Sequence, residues 1–305
     1  MSSGRIDNHS MEERMYSVGI IGAGFVGTAI CKAFQHYTDV KIYDKFKDMG
    51  FKYTDVVNQD ILFVCLPTPM MMNHKAPELR GSMVGGHVDL SVLDGALGAL
   101  SRALPEDDDK IVIIKSTIPP GSCKYFSVKY KNLIIAYSPE FLTERTADLD
   151  FIQQNRIIVG TGELDGMYER RITELFKTRF PKVPIKFVSW DEASLIKYFT
   201  NVFFCVKISL FNEFAQIAEK LGLDANEVAA EVLNDGRIGR SHWQVPGHDG
   251  HRGFGGSCFP KDINGYMQFA KELDILPKMA EAAWDTNIEV RPEKDWEKLK
   301  GRAVS

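Results

Sequence analysis

YSVGIIGAGFVG, residues 16–27, runs a short apolar segment straight into three glycines, Gly22, Gly24 and Gly27. That spacing is G-x-G-x-x-G, the turn that brings a dinucleotide pyrophosphate onto the N-terminus of a helix. The flanks agree with it: VGTAICKAFQHY reads as a helix, and VKIYD then reads as a second strand ending at Asp44. An acid about twenty residues past the glycines is placed to bind the ribose hydroxyls of NAD, and it would repel the 2′-phosphate of NADP. An ordinary tight strand–helix turn would need the glycines but not strand, glycines, helix, strand and acid in that order. Gly22, Gly24, Phe25, Val26, Gly27 and Asp44 are therefore the expected cofactor contacts.

Working outward, apolar β-branched runs recur at 16–21, 40–44, 60–66, 111–117, 133–137, 155–160 and 184–189, with helical stretches between several of them. This alternation predicts an α/β fold, a Rossmann-like NAD-binding domain with a mostly parallel sheet and crossover helices. From Asp191 the period changes. DEASLIKYFTNVFFCVKISLFNEFAQIAEKLGL keeps a helical pattern until about Gly222 and reads as the spine of an all-helical domain and as a dimer contact. It reads as too polar to cross a membrane. The expected organisation is a disordered polar leader (1–15), the NAD-binding domain (16–189), a helical catalytic and dimerisation domain (190–290) and a charged tail (291–305). PMMMNHKAPELRGSMVGGHV, residues 69–88, reads as a long loop, either a lid or a disordered stretch.

Composition narrows the function classes. A net charge of -4 over 305 residues gives no footprint for nucleic acid or an anionic membrane surface. No signal-peptide segment is legible at the start, and five scattered cysteines suit a reducing cytoplasm better than a disulfide framework.

A second motif carries chemistry. GFGGSCFPKD, residues 253–262, sets Cys258 after flexible glycines and beside Lys261 and Asp262. A cation near a thiol favours the reactive thiolate, and a carboxylate there would hold or deprotonate a water. A buried structural cysteine in a glycine turn is the plainer alternative. Four further segments stand out. CLPTP puts Thr68 past the third strand, IVIIKSTIPPGS puts Thr117 at a strand's C-terminal end, and IIAYSPEFLTE puts Glu140 and Glu144 just past the next strand. Lys197 and Asn201 are four residues apart on the long helix and share a face. Singly, these residues read as turn or surface positions, although an Asn inside an apolar helix needs a partner.

Together, GAGFVG, LPTP, STIPPGS, SPEFLTE, the Lys197-to-Asn201 helix leading to FNE, and GFGGSCFPKD resemble the UDP-glucose/GDP-mannose dehydrogenase family over residues 16–290. The resemblance implies NAD-dependent oxidation of the C6 alcohol of a nucleotide sugar through a thioester on Cys258, with UDP-glucose the commonest substrate. It implies oxyanion donors at Lys197 and Asn201 and water activation by Asp262 and Thr117. Glu140 matches an acid–base or orienting residue, and Glu144 one near the nicotinamide, with Thr68 and Thr117 also near the cofactor. Phe141, Leu142, Lys197, Gly253, Phe254, Gly255 and Lys261 match substrate contacts, and Arg237 matches an arginine reaching a neighbouring subunit's sugar site. No metal is implied.

The sequence also departs from the family pattern. Relatives carry a further Rossmann-like domain, for which the residues after Asn287 are too few, so a split enzyme with a partner chain, or an NAD-binding scaffold without turnover, are the competing readings. Arg145 stands where glycine is usual and Thr143 where arginine is common. The SHWQVPGHDGHR loop adds His242, His248, His251 and Arg252 near Cys258, which read first as an exposed polar loop, next as contacts to a substrate phosphate and last as metal ligands.

Overall fold

The computed structural model describes residues 15–71, 87–162 and 166–305. The leader up to residue 14, and residues 72–86 of the long loop, lie outside the described residues, so neither expectation is addressed by the structure.

Among the described residues seven strands form, each inside one of the apolar runs: β1 (Val18–Ile21), β2 (Val40–Tyr43), β3 (Ile61–Val64), β4 (Ile111–Ile114), β5 (Ile134–Tyr137), β6 (Ile157–Gly160) and β7 (Ile185–Val188). They make one sheet in the order β2-β1-β3-β4-β5-β6-β7. All neighbours are parallel except β5 and β6, which meet antiparallel at Tyr137 and Gly160. β1, β3 and β4 are buried along their whole length, as strands covered on both faces must be.

Helices cover both faces. α1 (Phe25–Phe34), α5 (Ala147–Ile152) and α6 (Gly166–Arg179) lie on one side. There Phe34 meets Phe63, Phe151, Phe176 and Phe180 with ring centroids 6.0 to 6.4 Å apart. α2 (Tyr53–Val57), α3 (Ser91–Ala103) and α4 (Ser122–Lys129) cover the other side through Val56, Leu97 and Phe126. Because β2 and β3 flank β1 on opposite sides, the chain reverses direction across the sheet there. The crevice at those strands' C-terminal ends is where open α/β sheets bind ligands.

α7 (Trp190–Lys220) starts at a capping box between Ser189 and Glu192 and runs 31 residues. It packs against β6, α8 (Ala225–Val232), α9 (Phe259–Glu272) and α10 (Lys278–Val290). By length and composition α7 is apolar enough to cross a membrane, which corrects the reading of it as too polar. Its buried face, however, carries Lys197, Asn201, Ser209 and Asn212, each with a partner in the protein, as a core helix requires.

The largest difference from expectation lies at residues 291–305. Read as a charged tail, this segment is folded onto the molecule. Trp296, Ala303 and Val304 are buried with Met70, and the Met70 amide donates to the Ala303 carbonyl at 2.8 Å. The reason is apolar: Trp296, Leu299 and Val304 outweigh the charges that dominate a reading by composition.

Candidate active site

The glycine turn fits a dinucleotide. Gly22 sits at φ 102°, and a Cβ there would run into the Cys65 carbonyl, while one on Gly27 would strike the Gly22 carbonyl. Gly24, the residue before α1, faces open space, which leaves room for a pyrophosphate over the helix N-terminus. Phe25 and Val26 begin α1 and pack on the core. Asp44 follows β2 and accepts the Ala23 and Phe46 amides, each at 2.9 Å. Burial opposes its charge, but these amides and Lys47 hold its carboxyl below the usual range. An anionic Asp44 tied to the turn suits a ribose diol, so the residues present fit NAD.

The second group gathers along the edge formed by the ends of β4 and β5, α7 and the start of α9. Cys258 is half-buried immediately before α9, with Pro260 in the first turn. Lys197 is 2% exposed, and its Nζ donates to Glu140 Oε1 at 3.0 Å. Glu140 Oε2 accepts the Leu142 amide at 2.6 Å. One turn along α7, Asn201 Nδ2 donates to Asp262 Oδ2 at 2.5 Å, and Lys261 pairs with the other oxygen of Asp262. Thr68 and Thr117 are buried, joined by the Thr68 hydroxyl donating to the Thr117 carbonyl at 2.8 Å. Glu144 accepts the Ser257 hydroxyl at 3.2 Å.

Burial is the first influence on both charged centres. It works against the Lys197 ammonium, yet Glu140, Asp262 and Cys258 outweigh it and Lys197 holds its proton more firmly than a free lysine. Burial also pushes the Cys258 thiol up, Glu140 and Asp262 push it further, and Lys261 with Lys197 offset only part. This corrects the expectation that the neighbouring cation would favour the thiolate. Desolvation and the two carboxylates therefore bias the thiol toward its protonated form.

A cavity of about 480 Å³ opens beside this group, within the range of small-molecule sites. Its walls include Glu140, Phe141, Leu142, Asn201, Phe204 and His242. Arg156 stacks on the Phe141 ring at 5.0 Å, and His242 stacks on Phe204 at 4.1 Å. Gly253 and Phe254 are held from α7 and α10. Asn212 Oδ1 accepts the Gly253 amide at 3.2 Å, and Asn287 bonds both the amide (2.7 Å) and the carbonyl (3.0 Å) of Phe254. Gly255 follows against the Arg291 guanidinium.

Arg237 is not brought to this group. Its side chain is 89% exposed and pairs with Asp235. Arg252 and His251, expected as part of an exposed polar loop or as phosphate contacts, are paired with Glu219 and Glu293. Among the described residues no three His, Cys, Asp or Glu side chains converge as metal ligands would.

Lys115, at the end of β4, was missed by sequence reasoning. It lines the cavity fully buried, donates to Ser138 Oγ at 3.1 Å, and has its pKa pulled down by burial to about 8. The signal lay in KSTIPPGS, where a lysine directly after four apolar strand residues has nowhere to go but inward.

Comparison with known proteins gives concordant matches. Residues 44–179 match the NAD-binding domain model of the UDP-glucose/GDP-mannose dehydrogenase family, and residues 191–289 match its central domain model. The chain is 31% identical over 261 residues to a UDP-glucose 6-dehydrogenase of Rickettsia bellii, covering 84% of this chain and 55% of that protein. It is 32% identical over 264 residues to one of Haloferax volcanii, covering 82% and 57%. The chain thus spans about half the length of the curated relatives it matches. Among solved structures, a UDP-glucose dehydrogenase from Pyrobaculum islandicum superposes with a TM-score of 0.76 at 27% identity, covering 96% of this chain and 72% of that one. A 3-hydroxyisobutyrate dehydrogenase of Mycobacterium tuberculosis shares the fold at 14% identity, with a TM-score of 0.66 and coverage of 92% and 95%.

Proposed function

The chain belongs to the UDP-glucose/GDP-mannose dehydrogenase family, and from that footing we propose that it oxidises the C6 alcohol of a nucleotide sugar to the carboxylate. UDP-glucose, the sugar nucleotide in its relatives' names, is the proposed substrate. The observation that carries the reading is one cysteine facing two lysines and two carboxylates, with Asn201 bonded to Asp262, beside a cavity that Glu140 and Asn201 help to line.

NAD, when bound, accepts a hydride in each of the two oxidations. Gly22, Gly24, Phe25, Val26, Gly27 and Asp44 would hold it, with Thr68, Thr117 and Glu144 at its reactive end. Glu140, tied to Lys197, takes or orients the proton of the alcohol as the first oxidation yields an aldehyde. Cys258, once deprotonated, adds to that carbonyl carbon through Sγ and makes a thiohemiacetal. Lys197 and Asn201 supply N–H donors for its oxyanion. The second oxidation converts the thiohemiacetal to a thioester, so the aldehyde is never released. Asp262 and Thr117 position a water on the thioester carbon. The C–S bond then breaks, the thiolate leaves and takes up a proton, and the carboxylate departs.

Substrate contacts are assigned to Phe141, Leu142, Gly253, Phe254, Gly255 and Lys261. Arg237, remote from this chain's own cavity, is assigned to the site of a second copy. The proposed contact between copies is α7, whose outward face carries Phe199, Phe203, Leu210, Phe214 and Ile217, all more than two-fifths exposed. Sedimentation at micromolar concentration tests it, and a clean monomer would contradict it. The five cysteines are unpaired, which fits a reducing cytoplasm.

The enzymatic reading is tested by NADH formation from NAD and a panel of nucleotide sugars. Turnover with one of them names the substrate. NAD binding without turnover on any of them would favour a scaffold or a chain that needs a partner.

A further inference from the structure

Past α10 the chain runs back over the Cys258 group as a strap. Arg291, 3% exposed, uses all three guanidinium nitrogens: Nε to Asp295 Oδ1 (2.7 Å), Nη2 to Asp249 Oδ2 (2.7 Å) and Nη1 to the Arg252 carbonyl (3.2 Å). Asp295 passes the contact on, because its Oδ2 accepts the Gly256 amide at 3.0 Å, two residues before Cys258. Beyond buried Trp296, the strap is pinned to Met70 on both sides of Val304, with the Ser305 amide donating to the Met70 carbonyl at 3.0 Å. That pinning fixes Arg302, whose guanidinium pairs with Glu144. The other oxygen of Glu144 accepts the Ser257 hydroxyl at 3.2 Å, and Ser257 Oγ lies 3.7 Å from Cys258 Sγ.

We propose that this strap is a working part of the active site, with Arg302 a positioning residue that acts on the Cys258 thiol through Glu144 and Ser257. The proposal rests on the reading of Cys258 as the nucleophile. The groups that face the thiol are Glu140 from the segment after β5, Lys197 from α7, and Lys261 and Asp262 from α9, with Glu144 one hydroxyl away. Glu144 is the one carboxylate of this set whose cation comes from the strap. Glu144 already accepts the Ser257 hydroxyl with Arg302 in place; without Arg302 its uncompensated negative charge draws that hydroxyl more firmly away from sulfur. The added charge and the hydroxyl drawn away both oppose the thiolate.

The test is the pH profile of Cys258 alkylation by iodoacetamide, read by mass spectrometry, for the native chain and for Arg302→Ala, Arg302→Lys, Glu144→Gln and the Arg302→Ala/Glu144→Gln double variant. Both Arg302 and Glu144 are nearly half exposed, so solvent screens the pair. Arg302→Ala should raise the midpoint by on the order of half a pH unit, about threefold slower alkylation below the midpoint. Lysine at 302 should restore most of it, and molar salt should erase the difference. In the Glu144→Gln background, Arg302→Ala should do nothing further. A midpoint unmoved in a folded Arg302→Ala protein, or one that moves equally with Gln at 144, would overturn the proposal. A merely structural strap would lower the melting temperature alone. If the alanine variant does not fold, Arg302→Gln removes the charge while keeping the side-chain length. Turnover is read separately: full NADH production by Cys258→Ser would sink the nucleophile reading and leave the alkylation shift standing.

Discussion

Lys197→Met removes the charge of a buried cation and nearly keeps its volume, so it isolates what the Lys197–Glu140 pair contributes. The partners are 2% and 7% exposed and 3.0 Å apart. Removing one member of such a pair strands the other charge at a cost of roughly 3–5 kcal/mol. Two features hold the expected cost to the low end. Glu140 keeps the Leu142 amide at 2.6 Å, and the ammonium of Lys115 remains close enough to feel its charge. The expected loss is therefore about 3 kcal/mol. Replacing both members, Lys197→Met with Glu140→Gln, leaves no stranded charge and should return stability to within about 1 kcal/mol of the native chain. Urea unfolding at neutral pH without ligand measures both, provided the slopes agree. A single variant costing less than about 1 kcal/mol, or a double variant no better than the single, would refute a coupled buried pair.

Three further outcomes are expected. Burial, Glu140 and Asp262 raise the Cys258 thiol against the pull of two lysines, and the thiolate forms only as pH rises. Alkylation should therefore climb past the ordinary thiol midpoint of about 8.5, and a plateau reached below about pH 8 would contradict it. Gly24→Ser puts a side chain into open space at a position that favours serine, so melting should change by no more than about 2 °C. NAD affinity measured by calorimetry should nevertheless fall by at least about tenfold, because the backbone there must approach the pyrophosphate. Asn287→Leu strands the buried amide and carbonyl of Phe254, and denaturant unfolding should show a loss of about 2–4 kcal/mol. A loss below about 0.5 kcal/mol would mean water replaces both contacts.

The sheet was legible because buried parallel strands leave a plain record. Seven apolar runs each became a strand, and the glycine spacing at 22, 24 and 27 fixed which strand comes first. Most of the candidate site was legible too, since motif residues at strand ends converge once the strands are parallel: Thr117 after β4, Glu140 and Glu144 after β5. Three things were hidden. The direction of the Cys258 shift depends on how burial and two carboxylates compare with two lysines, and sequence adjacency shows only Lys261 and Asp262. Lys115 looked like a strand-end residue until its full burial was seen. Arg302 lies 158 positions from Glu144, and a charged segment after the last long helix gives no period from which its fold could be read.

The central claim is a four-electron oxidation held on one cysteine, and the most direct measurement is the ratio of NADH formed to sugar acid released by the purified chain. The account predicts two NADH per acid with no free aldehyde trapped, and no net acid from Cys258→Ser although that variant still binds NAD. One NADH per product, or an unchanged rate from Cys258→Ser, would contradict it.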